Sequence, residues 1–300
     1  MYKFSNSFLA KALEHPAWGS FIEPDKELEQ ERDPNDKYKL ARGTDYRPDF
    51  SPYHAANPDF AKVAMQIDEV RKNFTYEDQC SAKYYFDIFN TTQLLSPRIN
   101  KIVDVGVFMG GSASVFAGCI QDKNISLDLV DFGEEYLRIT YERIRRTFPD
   151  VAKRTRLFLG DLPTYVHKVL QHENNATHLI HHDASHNFYE VVRDLAALSF
   201  VKDKVDGLMI QDTHLRGGNI GTGFFVDAAL YGVFGKGMPF FELGVKLNAS
   251  TQPCESSKFG TYFVDSQPEG MYIPFKLATF RYPHPSIKLE SILPQAEFAT

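Results

Sequence analysis

Cysteine is scarce in this 300-residue sequence. Cys80, Cys119 and Cys254 are few, odd in number and widely spaced, which excludes a disulfide scaffold and fits a reducing compartment. No CxxC pair is present to suggest zinc. Long apolar runs are missing too: no stretch approaches the roughly 20 apolar residues of a membrane helix. Nor does a basic segment, apolar run and small-residue cleavage site open the chain. The expected location is therefore cytoplasmic, with no membrane partner. Positive charge is in deficit, with a formal net charge of -6 and no local basic patch. That argues against a nucleic-acid surface and for a small-molecule substrate. What the chain has is apolar substance, 43% of it hydrophobic, enough for one large α/β domain with an extension.

The extension comes first. Between Phe21 and Phe50 about half the residues are charged, and Pro24, Pro34 and Pro48 interrupt them, so this stretch cannot form a core alone. It is expected to act as a lid or as an arm of a homo-oligomer. From Asp59 to Leu95 apolar residues recur at helical spacing (Phe60, Val63, Ile67, then Tyr84, Tyr85, Ile88), which predicts two amphipathic helices. After Pro97 short apolar runs alternate with helical segments. Strands are expected at 101–107, 126–131, 156–160, 178–182 and 207–211, each followed by a helix. Such alternation, with strands apolar on both faces, means a doubly wound, mostly parallel α/β sheet. Two further strands, 240–247 and 260–264, have no helix between them and are expected to pair as an antiparallel hairpin at one sheet edge. The domain division read this way is 1–75 (charged extension and helix), 76–265 (main domain) and 266–300, a tail with five prolines packed on the surface.

In a doubly wound sheet ligands lie beyond the carboxyl ends of the strands, so strand-ending residues carry the information. The first strand ends in Asp104-x-Gly106-x-x-x-Gly110-Gly111-Ser112, where glycines permit a tight turn and the next helix presents free N–H groups. Phe108 stands where the GxGxxG fingerprint requires glycine, which argues against a dinucleotide and for a cofactor without pyrophosphate. Asp131 ends the second strand, placed to accept from both hydroxyls of a ribose, or else to cap the following helix. Asp161-Leu162 follows the third, where the carboxylate can meet an adenine amino group or again serve as a cap.

These segments, with His182-Asp183-Ala-Ser-His186-Asn-Phe-Tyr-Glu-Val-Val-Arg-Asp194-Leu195 and Gln211-Asp212-Thr213, resemble the class I S-adenosylmethionine-dependent methyltransferases. The likeness covers roughly residues 80 to 265 and points to a subfamily carrying a DGxHxYxxVxxDL segment. Ala184 stands for that segment's glycine, Phe188 for its tyrosine, and Lys204-Val-Asp-Gly207 for the GG turn before strand five. The resemblance implies a Rossmann-like seven-stranded sheet ending in an antiparallel pair. It implies S-adenosylmethionine held by Asp104, Gly106, Gly110, Gly111, Ser112, Asp131, Asp161 and Leu162, and O-methylation of a small-molecule hydroxyl. Some similar enzymes bind a divalent metal, making Mg²⁺ a candidate second cofactor, with Asp183, Asp212 and Thr213 as ligands and His214 as an alternative nitrogen donor.

Seven of the ten histidines lie between His167 and His214, and His186 follows Asp183 by three residues. An imidazole there is a candidate general base, since its pKa lies near working pH; its other reading is as a partner that orients Asp183. The Arg216 to Gly223 loop, rich in glycine, is a second candidate lid. Other functions share some of these residue types. His181-x-Asp183 with His214 or His284 matches the ligand types of a non-haem Fe(II) oxygenase, but that site belongs to an antiparallel barrel. A hydroxylase-type relative of the same fold and a non-catalytic binding protein are the remaining alternatives.

Overall fold

The computed structural model describes residues 12–40, 46–217, 223–246, 262–281 and 288–294. Strands β2 (Lys101–Val105), β3 (Ser126–Asp131), β4 (Thr155–Leu159), β5 (His178–His182) and β6 (Val205–Gln211) run parallel, in the spatial order β4-β3-β2-β5-β6. Six helices of nine or more residues are described: α1 (Pro58–Val70), α2 (Ala82–Leu95), α3 (Gly111–Ile120), α4 (Glu134–Thr147), α5 (Phe188–Ser199) and α6 (Val226–Phe234). None is long and apolar enough to cross a membrane.

Alternation along each strand divides the core in two. Ile102, Leu127, Leu129 and Leu179 face the helical layer of α1 to α4, while Val103, Val130, Ile180 and Leu208 face that of α5 and α6. The sheet is thus wound on both sides, as its apolar strands predict. Local chemistry fixes the helix starts. Asn57 accepts from the N–H groups of Asp59 and Phe60 ahead of Pro58, and Ser81 accepts from Tyr84 N–H.

Among the described residues the sheet has eight strands where seven were expected, and its antiparallel end differs from the expected hairpin. β8 (Phe241–Lys246) does pair antiparallel at the edge, but its partner is β10 (Pro268–Ile273), which inserts between β6 and β8. The residues expected to complete the hairpin instead supply β9 (Tyr262–Phe263), paired with β7 (Leu215–Arg216) in a separate two-stranded sheet; Leu247, Gly260 and Thr261 lie outside the described residues. The physical reason is burial. Every residue of β10 is buried, with Met271 and Ile273 in one core and Tyr272 in the other. Proline is tolerated because it opens the strand, and Gly270 because a Cβ would meet the Tyr84 ring and the Ile210 carbonyl.

The eighth strand, β1 (Ser20–Ile22), comes from the charged extension and pairs antiparallel with β4. The extension is held down by Arg146 of α4, whose guanidinium donates to the carbonyls of Leu28 (3.0 Å), Glu31 (2.5 Å) and Arg32 (2.9 Å).

Candidate functional site

The strand order reverses at β2, which lies between β3 and β5, and in sheets of this kind ligands are taken beyond the carboxyl ends of the strands at that switch point. The turn leaving β2 depends on glycine. Gly106 (φ 82°) and Gly110 (φ 80°) are left-handed, and a Cβ on Gly106 would collide with the carbonyl oxygen of Asp183. Gly111 starts α3, with its missing side chain's place taken by Tyr85 and Asp78. Phe108 also has positive φ (44°), an unusual strain for a bulky residue, and its carbonyl accepts from Thr140 Oγ1 at 3.1 Å.

Asp131 reaches this turn from β3. Its carboxylate accepts from Val107 N–H (3.0 Å) and Gly133 N–H (2.8 Å), and burial pushes its pKa up to about 6 against those bonds. With Phe108 N–H as a third donor, the carboxylate keeps about one acceptor direction open. Asp161 caps the turn Leu162–Tyr165 through Thr164 N–H (2.9 Å) and also accepts from Arg193 (2.9 Å); Leu162 is buried. Asp104 lies a layer below the turn. It is wholly buried, pairing with His181 Nδ1 at 2.6 Å and accepting from Ser112 Oγ at 3.1 Å, while His181 Nε2 meets Tyr84 Oη at 2.8 Å. Both nitrogens of His181 are thereby engaged away from Asp183, which counts against the iron reading. His182 points to the other face, against Asp194 (2.8 Å), giving the motif aspartate a partner within the core.

The ends of β5 and β6 bring Asp183, His186 and Asp212 together, with candidate ligand atoms all within 4.8 Å of one another. His186 Nε2 is 3.4 Å from Asp183 Oδ1 and 3.0 Å from Asp212 Oδ2. Each side chain retains some open surface, 22%, 25% and 17% for Asp183, His186 and Asp212, so the cluster is accessible. Burial raises both carboxyls above the ordinary range, partly offset by the imidazole. Burial alone would lower His186, but Asp212 and Asp183 outweigh it and bring its pKa to about 9. The two carboxylates thus favour the protonated, ion-paired form of the ring. Asp212 is itself left-handed (φ 58°), a strained conformation that directs its carboxylate into the cluster.

Thr213 is drawn the other way. Its hydroxyl donates to the Pro268 carbonyl (2.6 Å) and its N–H to the Glu269 carbonyl (3.1 Å), both on β10. His214 stacks on Phe263 with ring centroids 4.2 Å apart, and burial, with Arg216 and His186 nearby, lowers its pKa to about 4. On the open side Phe224 stands edge-on to His186 (5.9 Å), bridged to Asn187. Arg216 is anchored to Asp227 at 2.8 Å; residues 218–222 of the expected lid, and His284, lie outside the described residues.

No family model matches the chain, and no curated protein matches it. Solved structures similar to it include three at low identity. Cofactor-bound Rv0187 from MTB is 10% identical, covering 78% of this chain and 99% of its own, with a TM-score of 0.46. An O-methyltransferase from Bacillus cereus in complex with SAH is 11% identical over 73% and 91% of the two chains (TM-score 0.44). The O-methyltransferase TomG from Streptomyces achromogenes, in complex with SAM, is 10% identical over 72% and 88% (TM-score 0.42).

Sequence reasoning missed three residues around the cluster. Gln211 turns its amide to Asp183, Glu269 on β10 supports the backbone beside Asp212, and Phe224 walls His186. Gln211 had one signal, its place immediately before a strand-ending aspartate. Glu269 had none, because its strand was not expected.

The donor set suits a divalent cation. Two carboxylate oxygens and one imidazole nitrogen, all within 4.8 Å of one another, are donor types that such an ion takes. Two carboxylates facing one imidazolium also leave an uncompensated negative charge.

Proposed function

We propose that the chain is an S-adenosylmethionine-dependent methyltransferase acting on a small-molecule hydroxyl, with a divalent cation such as Mg²⁺ at Asp183, Asp212 and His186. The observation that carries this reading is one contact. Gly106 of the turn lies against the Asp183 backbone, where no Cβ fits, so the cofactor end and the acidic cluster share one wall. Asp131, with an acceptor direction to spare, is assigned the ribose hydroxyls; Gly106, Gly110 and Gly111 let the ligand approach the backbone; Asp161 and Leu162 border the base. Asp104 and Ser112 act from beneath, holding the turn against β5.

Methyl transfer proceeds by direct displacement, and holding nucleophile, methyl carbon and sulfur in line supplies much of the acceleration. A bound cation would lower the pKa of a coordinated acceptor hydroxyl. Asp183 and Asp212 would hold the cation beside the turn, and His186, in its neutral form, would be its nitrogen donor. In this form its role is ligation rather than general base catalysis.

The two halves of the site separate by mutation. Asp131→Ala should weaken S-adenosylhomocysteine binding about tenfold or more, measured by calorimetry. Asp212→Ala should leave that affinity intact while removing Mg²⁺-dependent methyl transfer. Unchanged affinity in Asp131→Ala contradicts the ribose assignment, and unchanged transfer in Asp212→Ala contradicts the cation site.

A further inference from the structure

Behind the acidic cluster lies a buried polar chain that touches it at one point, the Asp183 carboxylate. Gln211 is the last residue of β6, only 4% exposed, and its amide nitrogen faces the Asp183 carboxylate, reaching Oδ1 at 3.0 Å and Oδ2 more closely still. The orientation follows from chemistry, since a carboxylate only accepts. The other end of the amide, its oxygen, lies 3.0 Å from Cys80 Sγ, whose thiol then donates to it. Cys80 is fixed in turn by its neighbour Ser81, the N-cap of α2, whose N–H and hydroxyl both donate to Glu269. Gly270, next to Glu269, pairs with Gln211 across β10 and β6, closing the circuit.

We infer that Gln211 is a positioning residue for cation binding, its two-point hold fixing the rotation of the Asp183 carboxylate. This rests on the cation site proposed above. A carboxylate offers about four acceptor directions, and two amide contacts leave the remainder for an ion shared with Asp212 and His186. Without the amide the carboxylate is free to turn, and the ordering of that side chain is lost from the binding free energy. Partners of this kind behind a metal ligand set affinity by about 10- to 100-fold.

The test is a Mn²⁺ titration of the full, cation-free chain, with free Mn²⁺ read by electron paramagnetic resonance. Gln211→Met, close in volume but without donors, should bind Mn²⁺ about 10- to 100-fold more weakly than the unmodified chain. Its affinity for S-adenosylhomocysteine should stay within about twofold, a separation that general loss of structure would not produce. Equal Mn²⁺ affinity in the two proteins overturns the role of Gln211 and leaves the cation site standing. Failure of the unmodified chain to bind Mn²⁺ overturns both. Should Gln211→Met not fold, Cys80→Ala frees the amide to rotate without removing it and should weaken Mn²⁺ about threefold or more; no change there overturns the inference.

Discussion

His186 stands between two carboxylates that would repel each other without it, and this gives the cation-free protein a pH signature. Its pKa in the folded chain, about 9, lies above the ordinary 6.5. A group raised on folding contributes stability fully below its unfolded pKa, and that contribution is lost as pH rises through the folded value. Thermal unfolding in EDTA should therefore show Tm falling between pH 6.5 and about 9, and His186→Ala should lack this fall. A flat Tm in the unmodified chain across that window would contradict the ion-paired cluster. The residue scale also shows where sequence was informative. The convergence of Asp183, His186 and Asp212 was legible because each ends a strand or follows one closely. The burial of Asp104 was not, because it depends on the register that sets His181 opposite it across β2 and β5. Nor was the turning of Thr213 away from the cluster, which depends on a strand 55 residues further along.

At the scale of elements, β10 does most to organise the site. Its Glu269 joins three elements: the carboxylate takes the N-terminus of α2 through Ser81 N–H (2.8 Å) and hydroxyl, and reaches β8 through Val245 N–H (3.1 Å). Gly244 (φ 76°) gives way to it, since a Cβ there would meet the same carboxylate. Burial pushes this carboxyl from 4.5 up to about 7, the hydrogen bonds opposing. Glu269→Gln turns an amide N–H₂ toward one of the donors it satisfied, and should destabilise the fold by about 1 to 3 kcal/mol in chemical denaturation. The raised pKa has the same sign as that of His186. Between pH 4.5 and about 7 the unmodified chain should lose stability relative to Glu269→Gln, and parallel pH profiles would contradict the buried carboxyl. The element was illegible for a plain reason. Pro268, Glu269 and Gly270 interrupt the apolar pattern of a buried strand, and only packing on both faces makes them acceptable. The parallel strands carry single interruptions such as Asp104 and Asp128 but keep apolar residues on either side of them, and their ends were read to within a few residues.

On the scale of the whole molecule, the doubly wound sheet places two kinds of chemistry at one end of its parallel strands. β2, β3 and β4 deliver the glycine turn, Asp131 and Asp161; β5 and β6 deliver the carboxylates and the imidazole. Segments far apart in sequence close around it, β1 on the outer edge of β4 and β10 beside β6, both antiparallel additions to a parallel core. The architecture was legible because alternation of apolar runs and helices has few other solutions. The central claim is that this end of the sheet binds the nucleoside cofactor of methyl transfer. Its most direct test is calorimetric titration of the full chain with S-adenosylhomocysteine, with and without Mg²⁺. The account predicts saturable binding at one site per chain under both conditions; absence of binding under both would contradict it.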